Sequence, residues 1–411
     1  MTLSRADRER LLLRIDALVS ARFYDPKFHG KNWQEIVDRN REAILNADST
    51  DAFEAASAAM LGELQANGLG LLSSETKIPP ANSINASFHP VETAGDGMRW
   101  VFQDVLPGGV AQRAEIQTGE ALIRVNGVEV SPPRLPEFPM NAKIPLVVSQ
   151  GGRHRDAELD LTTSKPKYKS NPYSEPMSVD AKVRSSSIGT IKISLFPGFI
   201  GIDFANALSS ILGERLGTSS RLVVDLRGNP GGGIGGLRLM SYMTPDRRPV
   251  GFSVDRKAAE RGYNRETLPR LNHIPKSKFE LPLLLIRYWD KKSVVLETEG
   301  LAPQPFHGRI VLLVNEHTAG AAEMVAQFAQ ENALGVIVGS HTPGRLNSRS
   351  AFRIGEGYRL VVPVAAYVSW NGKQIEGTGI SPDVPVDWSY DAALHGIDNQ
   401  YERALEVVAA L

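Results

Sequence analysis

The sequence predicts a mixed α/β protein built from three successive regions. Apolar residues repeat every three or four positions through the first part of the chain, which predicts a helical region at residues 1–83. Short strand-like segments separated by glycine turns predict a small β domain at residues 84–165. From there to residue 411, apolar strands alternate with helices. That alternation is typical of a mainly parallel α/β core.

The composition excludes several classes of function. Lys plus Arg and Asp plus Glu are both 46, so the net charge of zero gives no indication of a nucleic acid or an anionic membrane surface as partner. The absence of cysteine excludes disulfides, thiolate zinc sites and a cysteine nucleophile. The eight histidines form no His-x-x-x-His pair, so we expect no metal and no cofactor.

Neither a secretory segment nor a membrane span is recognisable in the sequence. The first ten residues contain no continuous apolar stretch, and no run approaches the roughly 18 apolar residues of a membrane span. We therefore expect a cytoplasmic protein, unless a leader has been removed from the sequence.

The first region shows the apolar faces of three helices. Six residues between Leu11 and Phe23 lie on one helical face, and Trp33 with Ile36 and Val37 repeats the pattern. Asp51 followed by Glu54 predicts the start of a third helix. Nothing in this region indicates a site.

The middle region resembles a PDZ domain. Its shared positions are Val105, Pro107, Gly108, Ala111, Ala114, Ile116, Gly119, Ile123, Val125, Asn126 and Gly127. It departs from the usual pattern at Glu115, where glycine is usual, and at Glu120, where aspartate is usual. PDZ domains bind an extended peptide as an added strand. The resemblance therefore implies a peptide-binding loop at Leu106, Pro107, Gly108 and Gly109, and the alternative is a small β domain without a ligand.

The third region is organised around residues 221–236. An apolar strand over 221–226 leads into Asn229-Pro-Gly-Gly-Gly233, and a helix follows from about Leu237. Such a turn presents backbone N–H groups to an anion, which would be a phosphate or a developing oxyanion. The turn lacks the Gly-Lys-Ser/Thr of a phosphate-binding loop. A plain tight turn is the alternative.

Further strands are predicted in the third region, at residues 188–196, 309–314, 334–338 and 358–363. We expect them to join one sheet, with a helix over 321–332 behind it. Residues 165–187 are rich in Ser, Pro and Lys and predict a linker or a surface strap.

Three segments together resemble the C-terminal-processing, or tail-specific, serine peptidases and their tricorn-type relatives. They are residues 224–233, 314–323 and 376–383. The resemblance implies a core of the crotonase/ClpP-like type, a polypeptide substrate, and a serine at a strand-to-helix turn. It also implies an oxyanion hole formed by the amide of Gly231 or Gly232 and that of Ala321.

The residues that the resemblance assigns to catalysis are substituted. The nucleophile position is Gly320, which has no side chain. The general base of one branch is a lysine, and Arg345 stands in its place; an arginine stays protonated and accepts no proton. The tricorn-type base is a histidine in a Ser-His pair, and its counterparts are Ser74 and Glu75. Glu376 matches the acidic residue that orients that base.

Two classes of function therefore stand against each other. The first is a non-catalytic peptidase homologue that retains peptide binding and can assemble as a homo-oligomer. The second is an active peptidase or acyl-transfer enzyme, either with a serine naturally at position 320 or with an unrecognised nucleophile such as Thr318 paired with His341. A purely structural subunit is a third alternative.

Overall fold

The computed structural model has a mixed α/β fold that contains three six-stranded sheets. The residues it describes are 3–72, 80–139, 142–162, 175–184, 187–198, 200–288, 293–301 and 306–411. No helix among them is long and apolar enough to span a membrane.

The N-terminal region forms three helices and one short strand: α1 Arg5–Arg22, α2 Trp33–Leu45, α3 Thr50–Gly62 and β1 Gly70–Leu72. Polar side chains cap each helix by accepting backbone N–H groups of the first turn. The third helix is capped by Ser49, whose hydroxyl accepts the N–H of Ala52, and it therefore begins just before the predicted start.

Residues 80–160 form an antiparallel sheet with two short helices: α4 Pro80–Ser83, β2 Ala86–Thr93, β3 Gly97–Val105, α5 Val110–Arg113, β4 Ala121–Val125, β5 Val128–Glu129, β6 Lys143–Gln150 and β7 Arg153–Asp160. The strand order is β2-β3-β4-β6-β7, with β5 paired to β4. Glu115 has φ +57°, a conformation that favours glycine. The buried Glu120 accepts hydrogen bonds from Arg155 at 2.7 Å and from the N–H of Gln117 at 2.9 Å.

The rest of the chain supplies the remaining elements. The strands are β8 Val179–Val183, β9 Ile188–Ile193, β10 Arg221–Asp225, β11 Pro249–Asp255, β12 Arg270–Leu271, β13 Val295–Glu297, β14 Arg309–Val314, β15 Val336–Gly339, β16 Ser348–Gly355, β17 Tyr358–Ser369 and β18 Val384–Pro385. The helices are α6 Ile202–Ser210, α7 Gly236–Met243, α8 Arg256–Arg261, α9 Leu281–Tyr288, α10 Ala321–Glu331, α11 Tyr390–Leu394 and α12 Asn399–Ala410.

The parallel sheet carries the candidate site. Its order is β18-β15-β14-β10-β9-β8, and every pair is parallel except β8 with β9. Helices α6, α7 and α10 contribute buried side chains to the core on one face, and α12 packs on the other face. The central strands β10 and β14 therefore end side by side, and the turns that follow them meet at the same edge.

The expectation that residues 358–363 join the parallel sheet is wrong. They belong to β17, the long central strand of a separate sheet with the order β1-β17-β11-β13-β12 and with β16 also paired to β17. Strands β16 and β17 form a hairpin that lies on helices α1–α3, and they share one apolar core through Ile354, Tyr358 and Leu360. The N-terminal helices therefore pack on a sheet formed by the C-terminal part of the chain.

Candidate active-site cleft of the parallel sheet

Strand β10 ends in a buried ionic cluster. Arg227 donates to both oxygens of Asp225, at 3.1 and 2.9 Å, and to both oxygens of Asp398 at the start of α12, at 2.7 Å each. Burial opposes the charge of Asp225, but Arg227 and Lys192 outweigh it and hold the pKa of Asp225 well below its usual range. The cluster pairs the buried Asp225 with Arg227 and fixes the start of the glycine turn.

Asn229 holds the turn from three sides. Its Nδ2 donates to the carbonyl of Ile193 at 2.9 Å, its Oδ1 accepts the N–H of Gly231 at 2.8 Å, and its own carbonyl accepts the N–H of Ala319 at 2.8 Å. The N–H of Gly231 is therefore already used within the turn. The N–H of Gly232 has no acceptor among the described residues, so Gly232 is the remaining donor of this turn.

Gly320 lies directly against that turn. It precedes α10 with φ +61° and ψ −126°, a conformation that L side chains rarely adopt. A Cβ added there would lie 3.2 Å from the Cα of Gly231 and 3.5 Å from the carbonyl of Pro230. A side chain at position 320 would thus point at the glycine turn, and the N–H of Ala321 beside it has no acceptor in the described part of the chain.

Glu323 joins the Gly320 turn to the loop that carries Arg345. Its buried carboxylate accepts the Thr342 hydroxyl at 2.6 Å and three backbone N–H groups, from Gly344 at 2.7 Å, Arg345 at 2.8 Å and Gly320 at 3.0 Å. Four donors to one carboxylate make a rigid link. The carbonyl of Arg345 consequently lies 3.6 Å from where a Cβ of residue 320 would stand.

Of the residues expected to act as general base or orienting acid, Arg345 and Glu376 lie in the described part of the chain. The Arg345 side chain is exposed and makes no ion pair with the described residues. Glu376 accepts the N–H groups of Leu346 at 2.7 Å and Asn347 at 2.8 Å through Oε2, whereas its buried Oε1 has no partner among the described residues. Ser74 and Glu75 lie outside the described residues.

The structure contradicts the proposed Thr318–His341 dyad. Thr318 is buried, its hydroxyl donates to the carbonyl of Leu226 at 2.9 Å, and that hydroxyl accepts the N–H of Asn315 at 2.9 Å. His341 instead contacts Ser381 at 3.2 Å and the carbonyl of Thr378 at 2.9 Å. Thr318 thus fastens the turn to the end of β10, and the N-cap of α10 is Gly320.

Comparison with known proteins agrees with this geometry. Residues 187–386 match the sequence model of peptidase family S41. The carboxyl-terminal-processing protease of Synechocystis sp. is 24% identical over 430 residues, which cover 99% of this chain and 88% of that protein. The putative tricorn protease homolog 2 of Streptomyces coelicolor is 24% identical over 422 residues, covering 95% of this chain but 32% of that protein.

A solved structure shows the same fold. The photosystem II D1 C-terminal processing protease superposes with a TM-score of 0.57 at 18% identity, covering 92% of this chain and 93% of that one. The match over residues 187–386 and these relatives make the chain a homologue of the S41 C-terminal-processing peptidases. The resemblance to the C-terminal-processing peptidases is therefore confirmed, as is the mixed α/β core.

The expected peptide-binding loop of this S41 homologue has its N–H groups occupied. The N–H of Leu106 donates to the carbonyl of Asn85 at 3.0 Å, that of Gly109 to the carbonyl of Leu106 at 3.0 Å, and that of Gly108 to Gln112 at 2.7 Å. Pro107 has no N–H, and its carbonyl accepts the N–H of Met177 at 2.7 Å. Peptide binding at Leu106–Gly109 would have to break one of these bonds.

Polar contacts that the sequence did not indicate join the antiparallel sheet to the turn before Gly320. Asn315 donates to Asp104 at 2.9 Å, and His317 contacts Gln103 at 3.0 Å. Glu316 pairs with His89 at 3.1 Å. Each contact joins residues more than 200 positions apart, so no local sequence pattern predicts these contacts.

The N-terminal helical region also reaches the loop that follows Arg345, through Tyr24 and Asn347, where the sequence indicated no site. The Tyr24 hydroxyl donates to Nε2 of His29 at 2.6 Å, because Nδ1–H of His29 donates to the carbonyl of Leu64 at 2.9 Å. The pKa of Tyr24 is raised overall. Burial is the main cause and nearby Glu376 adds to it, against a hydrogen bond from Asn347 that lowers the pKa. Among the described residues, no three His, Asp or Glu side chains are arranged to hold a metal ion.

Proposed function

We propose that this S41-family homologue is non-catalytic as written and binds extended polypeptide in the cleft between the Asn229–Gly233 turn and Gly320. One observation carries the proposal. The residue that stands against the glycine turn, where a side chain would face the oxyanion donors, is a glycine. Without a side-chain oxygen or sulfur at this point, no acyl-enzyme forms.

The donors of the cleft are independent of the lost side chains. The N–H groups of Gly232 and Ala321 belong to the backbone and have no acceptors among the described residues. Gly232 is exposed, so its N–H is open to a ligand, whereas Ala321 is buried, and an unpartnered buried N–H is costly. A peptide carbonyl placed there would supply the missing hydrogen bond. We assign the oxyanion-hole positions to these two residues and propose that they now receive a ligand carbonyl.

The antiparallel sheet supports the cleft in this proposal. We propose that residues 84–165 form a PDZ-like domain between an N-terminal region, 1–83, and the peptidase-like region, 166–411. Because the N–H groups of Leu106, Gly108 and Gly109 are used internally, we place the ligand in the S41 cleft, with the sheet fixing the Asn315–Thr318 turn.

An active enzyme with a serine naturally at position 320 is the second candidate. The observation that favours it is that a Cβ at position 320 would need a shift of only a few tenths of an ångström, since its tightest neighbour would be the Cα of Gly231 at 3.2 Å. The positive φ would strain a serine by about 1–3 kcal/mol. Serine peptidases place their nucleophile on such sharp turns.

Rescue variants decide between the two candidates. We expect Gly320→Ser alone to leave an unfolded protein substrate intact, because Arg345 accepts no proton and a glutamate at position 75 is too acidic a base. Gly320→Ser with Arg345→Lys tests the lysine branch, and Gly320→Ser with Glu75→His tests the tricorn-type branch, in which Glu376 would orient the imidazole.

The rescue readout is cleavage of the unfolded substrate together with labelling by a fluorophosphonate probe. We expect the unmodified chain to be neither active nor labelled. Labelling of the unmodified chain at Thr318 would contradict the proposal. Full cleavage by Gly320→Ser alone would show that the base is present and would favour the active enzyme.

A further inference from the structure

An outward apolar stripe marks a second surface, far in sequence from the cleft residues. A 3₁₀ turn at Lys278–Glu280 leads into α9, Leu281–Tyr288. Phe279 is 94% exposed and Ile286 is 77% exposed, and Pro282 between them is also exposed. Positions 279, 282 and 286 follow the spacing of one helical face. Large apolar side chains exposed in this way indicate an interaction surface.

The opposite face of the same helix is fastened to the protein. Leu281 packs on the main core, and the Tyr288 hydroxyl donates to the carbonyl of Arg270. These two residues are seven apart and lie about 180° from the Phe279–Ile286 line around the helix axis. The stripe therefore faces outward because Leu281 and Tyr288, on the opposite face of the helix, attach it to the rest of the protein.

Cations border the stripe. Lys276, Lys278 and Arg287 are exposed. The one acidic residue of the segment 276–288 is Glu280, whose carboxylate is bonded to His273 at 2.9 Å. At about 100° per residue, Lys278 and Arg287 fall on opposite sides of the Phe279–Ile286 line. This local excess of positive charge exists although the whole chain is neutral.

We propose that residues 276–288 dock the protein onto an anionic lipid surface. Apolar side chains on the outer face enter the boundary between headgroups and acyl chains, while the flanking cations meet the anionic headgroups. The proposal concerns peripheral attachment only, and it is independent of the function proposed for the cleft.

A second copy of the chain fits this surface less well. Three side chains offer far less than the roughly 1,200 Å² that a stable protein interface buries. A two-fold contact through the stripe would also bring Lys278 and Arg287 near their own copies, and like charges repel. An anionic lipid surface has neither problem.

Vesicle flotation with the full chain tests the proposal. We expect the chain to float with vesicles of phosphatidylcholine mixed with phosphatidylglycerol, to float weakly with phosphatidylcholine alone, and to be released by salt. Phe279→Ser with Ile286→Ser should weaken binding to the anionic vesicles by about tenfold or more. Lys278→Gln with Arg287→Gln should weaken it on the order of tenfold at low salt.

The matched control removes exposed apolar residues elsewhere. Val128 and Leu135 in the antiparallel-sheet region are 66% and 55% exposed, so Val128→Ser with Leu135→Ser removes two other exposed apolar side chains and should leave flotation unchanged. No flotation of the unmodified chain, or equal loss in the control, overturns the proposal. Concentration-dependent dimers in analytical ultracentrifugation that Phe279→Ser with Ile286→Ser abolishes would assign the stripe to self-association instead.

Discussion

Two glycine-containing turns of this protein carry sequence signatures of ligand binding, and they differ in where their N–H groups go. In the Asn229–Gly233 turn, one N–H is held by Asn229 and that of Gly232 is left without an acceptor in the described part of the chain. In the Leu106–Gly109 loop, each N–H has an internal acceptor. The first turn can receive a ligand carbonyl as it stands, whereas the second must first open.

The difference lies in the side chain that organises each turn. Asn229 is fully buried, and its side chain bonds the carbonyl of Ile193 in β9 and the N–H of Gly231. These bonds make the turn rigid and leave the N–H of Gly232 without an acceptor in the described part of the chain. In the Leu106–Gly109 loop, Oε1 of Gln112 accepts the N–H of Gly108, which a bound peptide would need as a donor. A glycine turn therefore indicates a binding site only when the fate of its amides is known.

The largest effect on this comparison should come from Asn229→Ala. The change leaves the carbonyl of Ile193 and the N–H of Gly231 buried without partners, so we expect a loss of about 3 kcal/mol in the free energy of unfolding. It should also abolish peptide binding. Denaturant unfolding and fluorescence anisotropy with a labelled peptide measure the two effects.

Asn85→Ala is the matched control on the loop side. The Asn85 side chain accepts the N–H of Val110 at 3.2 Å, and its backbone has φ +57°. Its loss should cost about 2 kcal/mol in stability and leave peptide affinity unchanged. If Asn85→Ala removes peptide binding and a folded Asn229→Ala keeps it, the assignment of the ligand to the cleft is wrong.

A second pair of variants tests the same comparison by filling space. In Gly231→Ala, the new Cβ would lie 2.9 Å from the carbonyl oxygen of Ala319 and 3.1 Å from the N of Ala321, at φ +93°. We expect about 2 kcal/mol of destabilisation and at least about a tenfold loss of peptide affinity.

Gly108→Ala is its control, with φ +68° and a contact of 3.2 Å to the N of Met177. It should cost about 1 kcal/mol in stability and leave peptide affinity unchanged. Equal losses of affinity in the two variants would show that both turns contact the ligand.

The smallest effect concerns Glu316, whose pairing with His89 joins the turn before Gly320 to the antiparallel sheet. Burial alone would raise the pKa of Glu316, but hydrogen bonds from His89, from its own N–H and from Ser340 bring it to about 2, against an ordinary value of 4.5. This contribution to stability is complete above pH 4.5 and is lost as the pH falls toward about 2.

Glu316→Gln should therefore flatten the loss of stability between these two pH values, which unfolding curves at several pH values measure. An unchanged pH dependence would show that Glu316 does not link the two regions. His89→Gln should give a similar, weaker flattening, because His89 is one of three donors to this carboxylate.

The sequence predicted the elements whose causes are local. The strand before Asn229 and the helix after Gly320 follow from apolar runs and turn residues. The family motifs also placed Gly320 against the glycine turn correctly, because both belong to the turns that end neighbouring parallel strands.

Other features were not predictable because they depend on contacts between distant residues. Residues 358–363 have an ordinary strand pattern, and only the β16–β17 hairpin and the helices packed on it decide their sheet. The use of Gly231 by Asn229 and of Gly108 by Gln112 depends on side-chain orientation, which sequence spacing does not fix. The same holds for Tyr24, which reaches Asn347 across the fold.

Calorimetric titration of the unmodified chain with a pool of peptides ending in apolar residues tests the central claim most directly, with mass spectrometry of the peptides afterwards. We expect binding on the order of 10–100 μM, since a few backbone hydrogen bonds and shallow pockets give modest affinity, with every peptide intact. Gly231→Ala should remove the signal, and Gly108→Ala should retain it. A flat titration at about 100 μM protein, or cleaved peptides, would contradict the account.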